Sequence, residues 1–141
     1  MVARSGARPM RRRERSAARR AAWHADRIGR ARTPAERLAA ASAYLVSAAA
    51  HARGAGAARA AAAEVAEHAR QVMARAALPE ASRRLHEAKL TAGGTEVARL
   101  SAALMVLRSA IARLPESQRD QVCEFYAGEL ARQAAGIGGA R

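Results

Sequence analysis

The side chains with the greatest capacity for chemistry in this sequence are its arginines, and they crowd one end. Arg11, Arg12, Arg13, Arg15, Arg19 and Arg20 fall within ten positions. A guanidinium stays charged at physiological pH and presents five donors in a planar fork, so such a cluster suits phosphate or carboxylate. Residues 1–32 hold eleven Arg against Glu14 and Asp26, a net charge of +9, whereas residues 33–141 carry only +4. The chain as a whole stands at +13, with an isoelectric point near 11.7. A basic arm on a nearly balanced domain points to an anionic partner. Phosphate binding by these six arginines is expected to be sequence-independent and to weaken steeply with salt. No set of residues predicts contacts to base edges. Trp23 lies at helical spacing from Arg19, Arg20 and Arg27; it can stack on a base or dock the arm against the rest of the chain, and docking is the expectation. One compositional effect works against the charge argument. Of the 25 basic residues 24 are Arg, and 42 residues are Ala. Both have GC-rich codons, so a GC-rich genome inflates both, although it does not place the charge at one end.

The remaining reactive groups are scattered. His24, His51, His68 and His86 are never four residues apart, so the two-histidine zinc pattern of a helix is absent. Glu64, Glu67 and His68 share a helical stretch, as in carboxylate-bridged di-iron bundles, but those place a Glu three residues before each His. Val65 occupies that position, which leaves Glu64 and His68 as an i, i+4 surface pair and no metal expected. Cys123 is the single cysteine, so no disulfide forms within the chain and a reducing, cytoplasmic setting is expected. Arg119, four positions earlier, can lower the thiol pKa a little. A half-buried helical Cys is the expected state. Neither a Gly-rich phosphate loop nor a nucleophile elbow nor a paired acid occurs. Gly93-Gly94 stands before a generic helix start, a feature able to take an anion. A non-enzymatic protein without cofactor is therefore expected.

Residues 112–126, Ala-Arg-Leu-Pro-Glu-Ser-Gln-Arg-Asp-Gln-Val-Cys-Glu-Phe-Tyr, resemble the opening of the promoter-reading domain of bacterial sigma factors. The resemblance implies a helix-turn-helix whose recognition helix follows. It covers about a tenth of the chain, and a Gly-rich stretch before Arg141 is expected to leave no room for that helix, so the resemblance is set aside.

The elements that must position these groups are all helical. Residues 95–114 are the organising stretch. Val97, Leu100, Leu104, Leu107, Ile111 and Leu114 are spaced 3, 4, 3, 4 and 3 apart, one stripe of an α-helix. Ala98, Ala102, Met105 and Ala112 make its opposite face apolar as well. A helix apolar on most sides is expected to be enclosed, as the centre of a bundle or the seam of a dimer. Ten Leu, seven Val and three Ile are few for a core, so close helix approach across Ala, or a second copy of the chain, is expected to supply the rest.

The other helices follow from local signals. Residues 1–9 read as disordered. Met10 to Ile28 read as a helix with a weak stripe of Ala17, Ala21, Ala25 and Ile28 and a line of Arg8, Arg12, Arg15 and Arg19, ended by Gly29; like charges this close should fray it until a partner covers it. Met10 is a second candidate start. Thr33-Pro34-Ala35-Glu36 is a capping box with Pro at the first helical position, opening a helix to about Ala52 lined by Leu38, Ala41, Leu45, Ala48 and Ala52. A third helix spans about 57–77, its contact face Ala58, Ala61, Val65, Ala69, Val72 and Ala76 with Met73 beside it. Leu78-Pro79-Glu80 starts a short helix to about Leu90, with Glu80 and Arg84 an i, i+4 pair. Leu114-Pro115-Glu116 turns the chain into a last helix, about 116–135, with Val122, Phe125, Tyr126 and Leu130 inward. No segment alternates as a strand, and none has the eighteen consecutive apolar residues of a membrane span.

The sequence thus predicts an all-α bundle of four to six helices (33–135) with a flexible basic N-terminal arm (1–32) and a flexible tail (136–141). Its expected role is DNA association through the arm, with the domain supplying shape or dimerisation. The alternative is a helical interaction module whose partner is an acidic protein or a second copy of the chain.

Overall fold

Six helices and no strand make up the described part of the computed structural model, which covers Pro9 and residues 11–139. They are α1 (Arg12–Arg30), α2 (Pro34–His51), α3 (Gly56–Ala76), α4 (Glu80–Thr91), α5 (Glu96–Ala112) and α6 (Glu116–Gly139). Two helix pairs, α3 with α5 and α2 with α6, build the bundle. α1 packs on α2, and α4 on α5. No helix among the described residues is long and apolar enough to cross a membrane.

The start of each main helix has a local cause. Thr33 Oγ1 accepts from the Glu36 N–H at 3.1 Å, with Pro34 at the first helical position. Glu36 reaches back, as in a capping box, but its carboxylate accepts from the Arg32 N–H at 2.9 Å rather than from Thr33. Thr95 caps α5 in the same way, accepting from the Ala98 N–H at 3.1 Å. After α5 the chain turns at Leu114, whose carbonyl accepts from the Arg119 guanidinium at 2.8 Å.

The interior is small-residue packing around α5. Leu100, Leu104, Leu107, Ile111 and Leu114 are buried, and Val97 is half-buried against the core. From α3 come Ala58, Ala61, Val65, Ala69 and Val72, all buried. Alanines on the contact face let two helix axes approach closely. Met73 is buried beside them, whereas Ala76 is half-buried. From α2, Leu38, Ala41 and Leu45 are buried, while Ala48 and Ala52 are half-buried. α4 is fastened by buried Leu90 and by Arg70 of α3, whose guanidinium grips Glu87 at 2.7 and 2.9 Å.

Several expectations are corrected. The second face of α5 is not enclosed: Met105 is 66% exposed, and Ala98 and Ala112 are exposed too. The helix is covered mainly by α3, with smaller contributions from α4, α2 and α6, and among the described residues no helix lies over Met105. Phe125 is 60% exposed; the buried line of α6 runs Val122, Tyr126, Leu130, Ala134, at a spacing of four that leaves Phe125 on the flank. Gly29 does not end α1, which continues to Arg30. Residues 136–139 continue α6 as helix, and no recognition helix follows among the described residues. Ile137, packed against the core, gives that last turn a reason to stay wound despite its glycines.

Candidate nucleic-acid interface

α1 carries the arginine cluster, and its amphipathic geometry divides that cluster in two. The buried residue of α1 is His24, 7% exposed. Ala17, Ala21 and Ile28 lie half-buried on the same side, while Ala25 is exposed. The helical period of 3.6 then places Arg12, Arg15, Arg19 and Trp23 along the outward face. Arg11, Arg13 and Arg20 turn instead toward a groove between α1 and the bundle. Arg13 donates to the carbonyl of His51, at the C-terminus of α2, at 3.5 Å, and Arg20 is half-buried. A guanidinium at that helix end is favoured by the helix dipole.

The outward face is a cationic ridge. Arg12, Arg15, Arg19, Trp23 and Arg27 are all exposed, and the stretch from 12 to 27 is roughly 22 Å long at the helical rise. The Arg27 guanidinium lies 5.0 Å from the Trp23 ring centroid, a cation–π contact that holds both groups outward. Asp26 is taken up by Arg30 at 3.0 Å. Trp23 therefore does not dock the arm: it is 56% exposed. His24 docks it instead, its ring stacked on Tyr44 of α2 at 5.1 Å and 13°. Burial, and then the charge of Arg27, push the His24 pKa below its ordinary value. A sequence signal for this role existed, since His24 falls at helical spacing between Ala17, Ala21 and Ile28, but a polar residue in an apolar stripe is easily passed over.

The other candidate groups are arranged without a shared site. His51 and His86 each donate through Nδ1 to the backbone carbonyl four residues earlier, at 2.8 and 2.7 Å. His68 Nε2 lies 3.8 Å from Glu64, and its ring leans on Tyr126 at 5.2 Å. Among the described residues no three His, Cys, Asp or Glu side chains come together as metal ligands do. Cys123 is buried, and its thiol pKa is raised, first by burial and then by Asp120 and Glu124. The expected lowering by Arg119 is overturned: the cation that acts on the thiol is Arg108, and its effect is outweighed by burial and the two acids, while Arg119 donates to the Leu114 carbonyl. Gly93-Gly94 is a turn in which Gly94 takes φ of +131°, a region that L side chains rarely adopt.

Comparison with protein-family models, with curated proteins and with solved structures finds no match to this chain.

Proposed function

We propose that this protein associates with DNA, largely without regard to sequence, through phosphates held along the outward face of α1. The observation that carries the reading is the ridge of Arg12, Arg15 and Arg19 running into exposed Trp23 and Arg27 on one face of a docked helix. A helix already ordered on α2 loses less conformational entropy on binding than a free basic tail would. The partition of the arginines also names the phosphate contacts more narrowly: the outward three contribute most, and Arg11, Arg13 and Arg20 less.

Fluorescence anisotropy with a labelled duplex at several salt concentrations tests this. Each phosphate contact contributes about −0.9 to the slope of log K against log salt. Replacing Arg12, Arg15 and Arg19 with Ala is expected to flatten the slope by about 2 to 3, and replacing Arg11, Arg13 and Arg20 by less. Equal slopes in parent and outward triple variant would overturn the reading.

A second reading, a module for protein interaction or self-association, is favoured by Leu85, Met105 and Phe125, three large apolar side chains left more than half exposed. Sedimentation velocity at micromolar concentration distinguishes a self-associating chain from a monomer.

A further inference from the structure

The groove beside α1 has a volume of about 1070 Å³ and lies between α1, the C-terminal half of α2 with its following turn, the N-terminal half of α3 and the end of α6. Its walls are largely small and apolar, with Ala17, Ala21, Tyr44, Ala48, Ala60 and Ile137 among them. Its charged residues are four arginines, Arg11, Arg13, Arg20 and Arg53, against Glu14 and Glu64. Of the two carboxylates, that of Glu64 is engaged within the chain, accepting from Gln133 at 3.0 Å. Arg13 is tied to the His51 carbonyl. The side chains of Arg11, Arg20 and Arg53 have no hydrogen bond or ion pair among the described residues, which leaves three uncommitted cations on the rim of an apolar groove.

That combination selects an occupant. A nucleic acid would use the guanidiniums and leave the alanine walls wet. The volume lies just above the roughly 300–1,000 Å³ of small-ligand pockets, which are mostly apolar with a few placed polar groups. An apolar body next to an anionic end satisfies both walls and rim, because apolar area leaves water while the anion meets donors that lack partners. We propose that the groove binds a single-chain anionic amphiphile, an acyl chain ending in a carboxylate, with the chain along the alanine walls and the carboxylate paired to the arginine rim. This site is separate from the outward ridge and does not depend on DNA binding.

Isothermal titration of the full chain with sodium dodecanoate, dodecanol and sodium acetate tests it. Dodecanoate is expected to bind at one per chain, and dodecanol about tenfold or more weakly, the loss expected when a charge-assisted hydrogen bond is removed. Acetate is expected to give no heat of binding. Combined Arg11→Gln, Arg20→Gln and Arg53→Gln should weaken dodecanoate about tenfold and leave dodecanol unchanged. Ala60→Trp, at an exposed position of the α3 wall, should block both while preserving the helical circular dichroism of the parent. Ala57→Phe, on the same wall, serves if the first variant folds poorly. No binding of dodecanoate at millimolar concentration, equal binding of dodecanol, or undiminished binding by a folded wall variant would each overturn the proposal.

Discussion

His24 of α1 lies nearly parallel to Tyr44 of α2, ring centroids 5.1 Å apart and planes 13° from coplanar. This stack joins the arginine-bearing helix to the bundle through its one buried residue, alongside the packing of Ala21 and Ile28. Its neighbour in sequence, Trp23, meets the same imidazole edge-on at 4.8 Å and turns outward. Consecutive residues on a helix are about 100° apart, so one aromatic can fasten α1 while the next is offered to a partner. The His24 Nδ1 atom is buried without a hydrogen-bond partner, which makes this anchor sensitive to protonation.

The pH dependence of stability follows from that sensitivity. Burial and Arg27 both disfavour the imidazolium in the folded chain. The unfolded chain therefore binds the proton more readily, and the contribution of His24 is present in full above its ordinary value near 6.5 and is lost as pH falls through and below it. The melting temperature is expected to drop between pH 7.5 and pH 5.5. His24→Phe, which keeps an aromatic ring against Tyr44 and cannot titrate, should show a shallower drop in the same buffers. An equal drop in both proteins would place the acid sensitivity elsewhere.

The two faces of α5 predict opposite outcomes for neighbouring substitutions. Leu107 is fully buried, and Leu107→Ala should cost about 2–5 kcal/mol, the usual range for a buried Leu truncated in a core. Met105, two positions earlier, is 66% exposed, and Met105→Ala should change the stability of a monomer by less than about 0.5 kcal/mol. Urea unfolding of both variants checks this, repeated at two protein concentrations. A concentration-dependent loss for Met105→Ala would mean that a second copy covers that face.

Cys123 should behave as a buried residue and not as a nucleophile. The residue is 6% exposed and its thiol pKa is raised by burial and by the acids beside it, so little thiolate forms near neutrality. Native protein at pH 8 is expected to react with a thiol reagent much more slowly than protein in denaturant. Reaction at equal rates would show that α6 opens locally at this point.

Much of this fold is legible in the sequence because a few signals are local. Thr33-Pro34-Ala35-Glu36 starts α2 by chemistry contained within four residues. The 3, 4, 3, 4, 3 spacing from Val97 to Leu114 marks the buried stripe of α5 without reference to its neighbours. The misreadings concern which neighbour arrives. Met105 and Phe125 look like core because they are large and apolar, but burial depends on whether another helix crosses that face. His24 takes the docking role expected of Trp23 for a related reason: the rotation of α1 on α2 decides which of the two points inward, and hydrophobicity alone favours the wrong one. The winding of residues 136–139 depends on Ile137 meeting the core, a contact outweighing the local cost of glycine in a helix. For the candidate site, the arginines are visible as a cluster, whereas their division between ridge and groove follows only from the seat of α1.

Two backbone positions should yield stability by opposite substitutions. Ala77 ends α3 in the left-handed region, φ 51° and ψ 48°, where a Cβ crowds the following carbonyl at a cost of roughly 1–2 kcal/mol. Glycine is the residue preferred at that place, so Ala77→Gly is expected to raise stability by about 1 kcal/mol. Gly128 is the reverse case. It lies within α6, an added Cβ would meet nothing within 4 Å, and its backbone is helical. Gly128→Ala should also contribute about 1 kcal/mol, through helix propensity alone. The positions lie on different helices, so the two gains are expected to add within about 0.5 kcal/mol. For a domain of this size each should raise the melting temperature by about 2–4 °C, read by circular dichroism. A lower melting temperature for Ala77→Gly would show that α3 does not end in a left-handed turn at that residue.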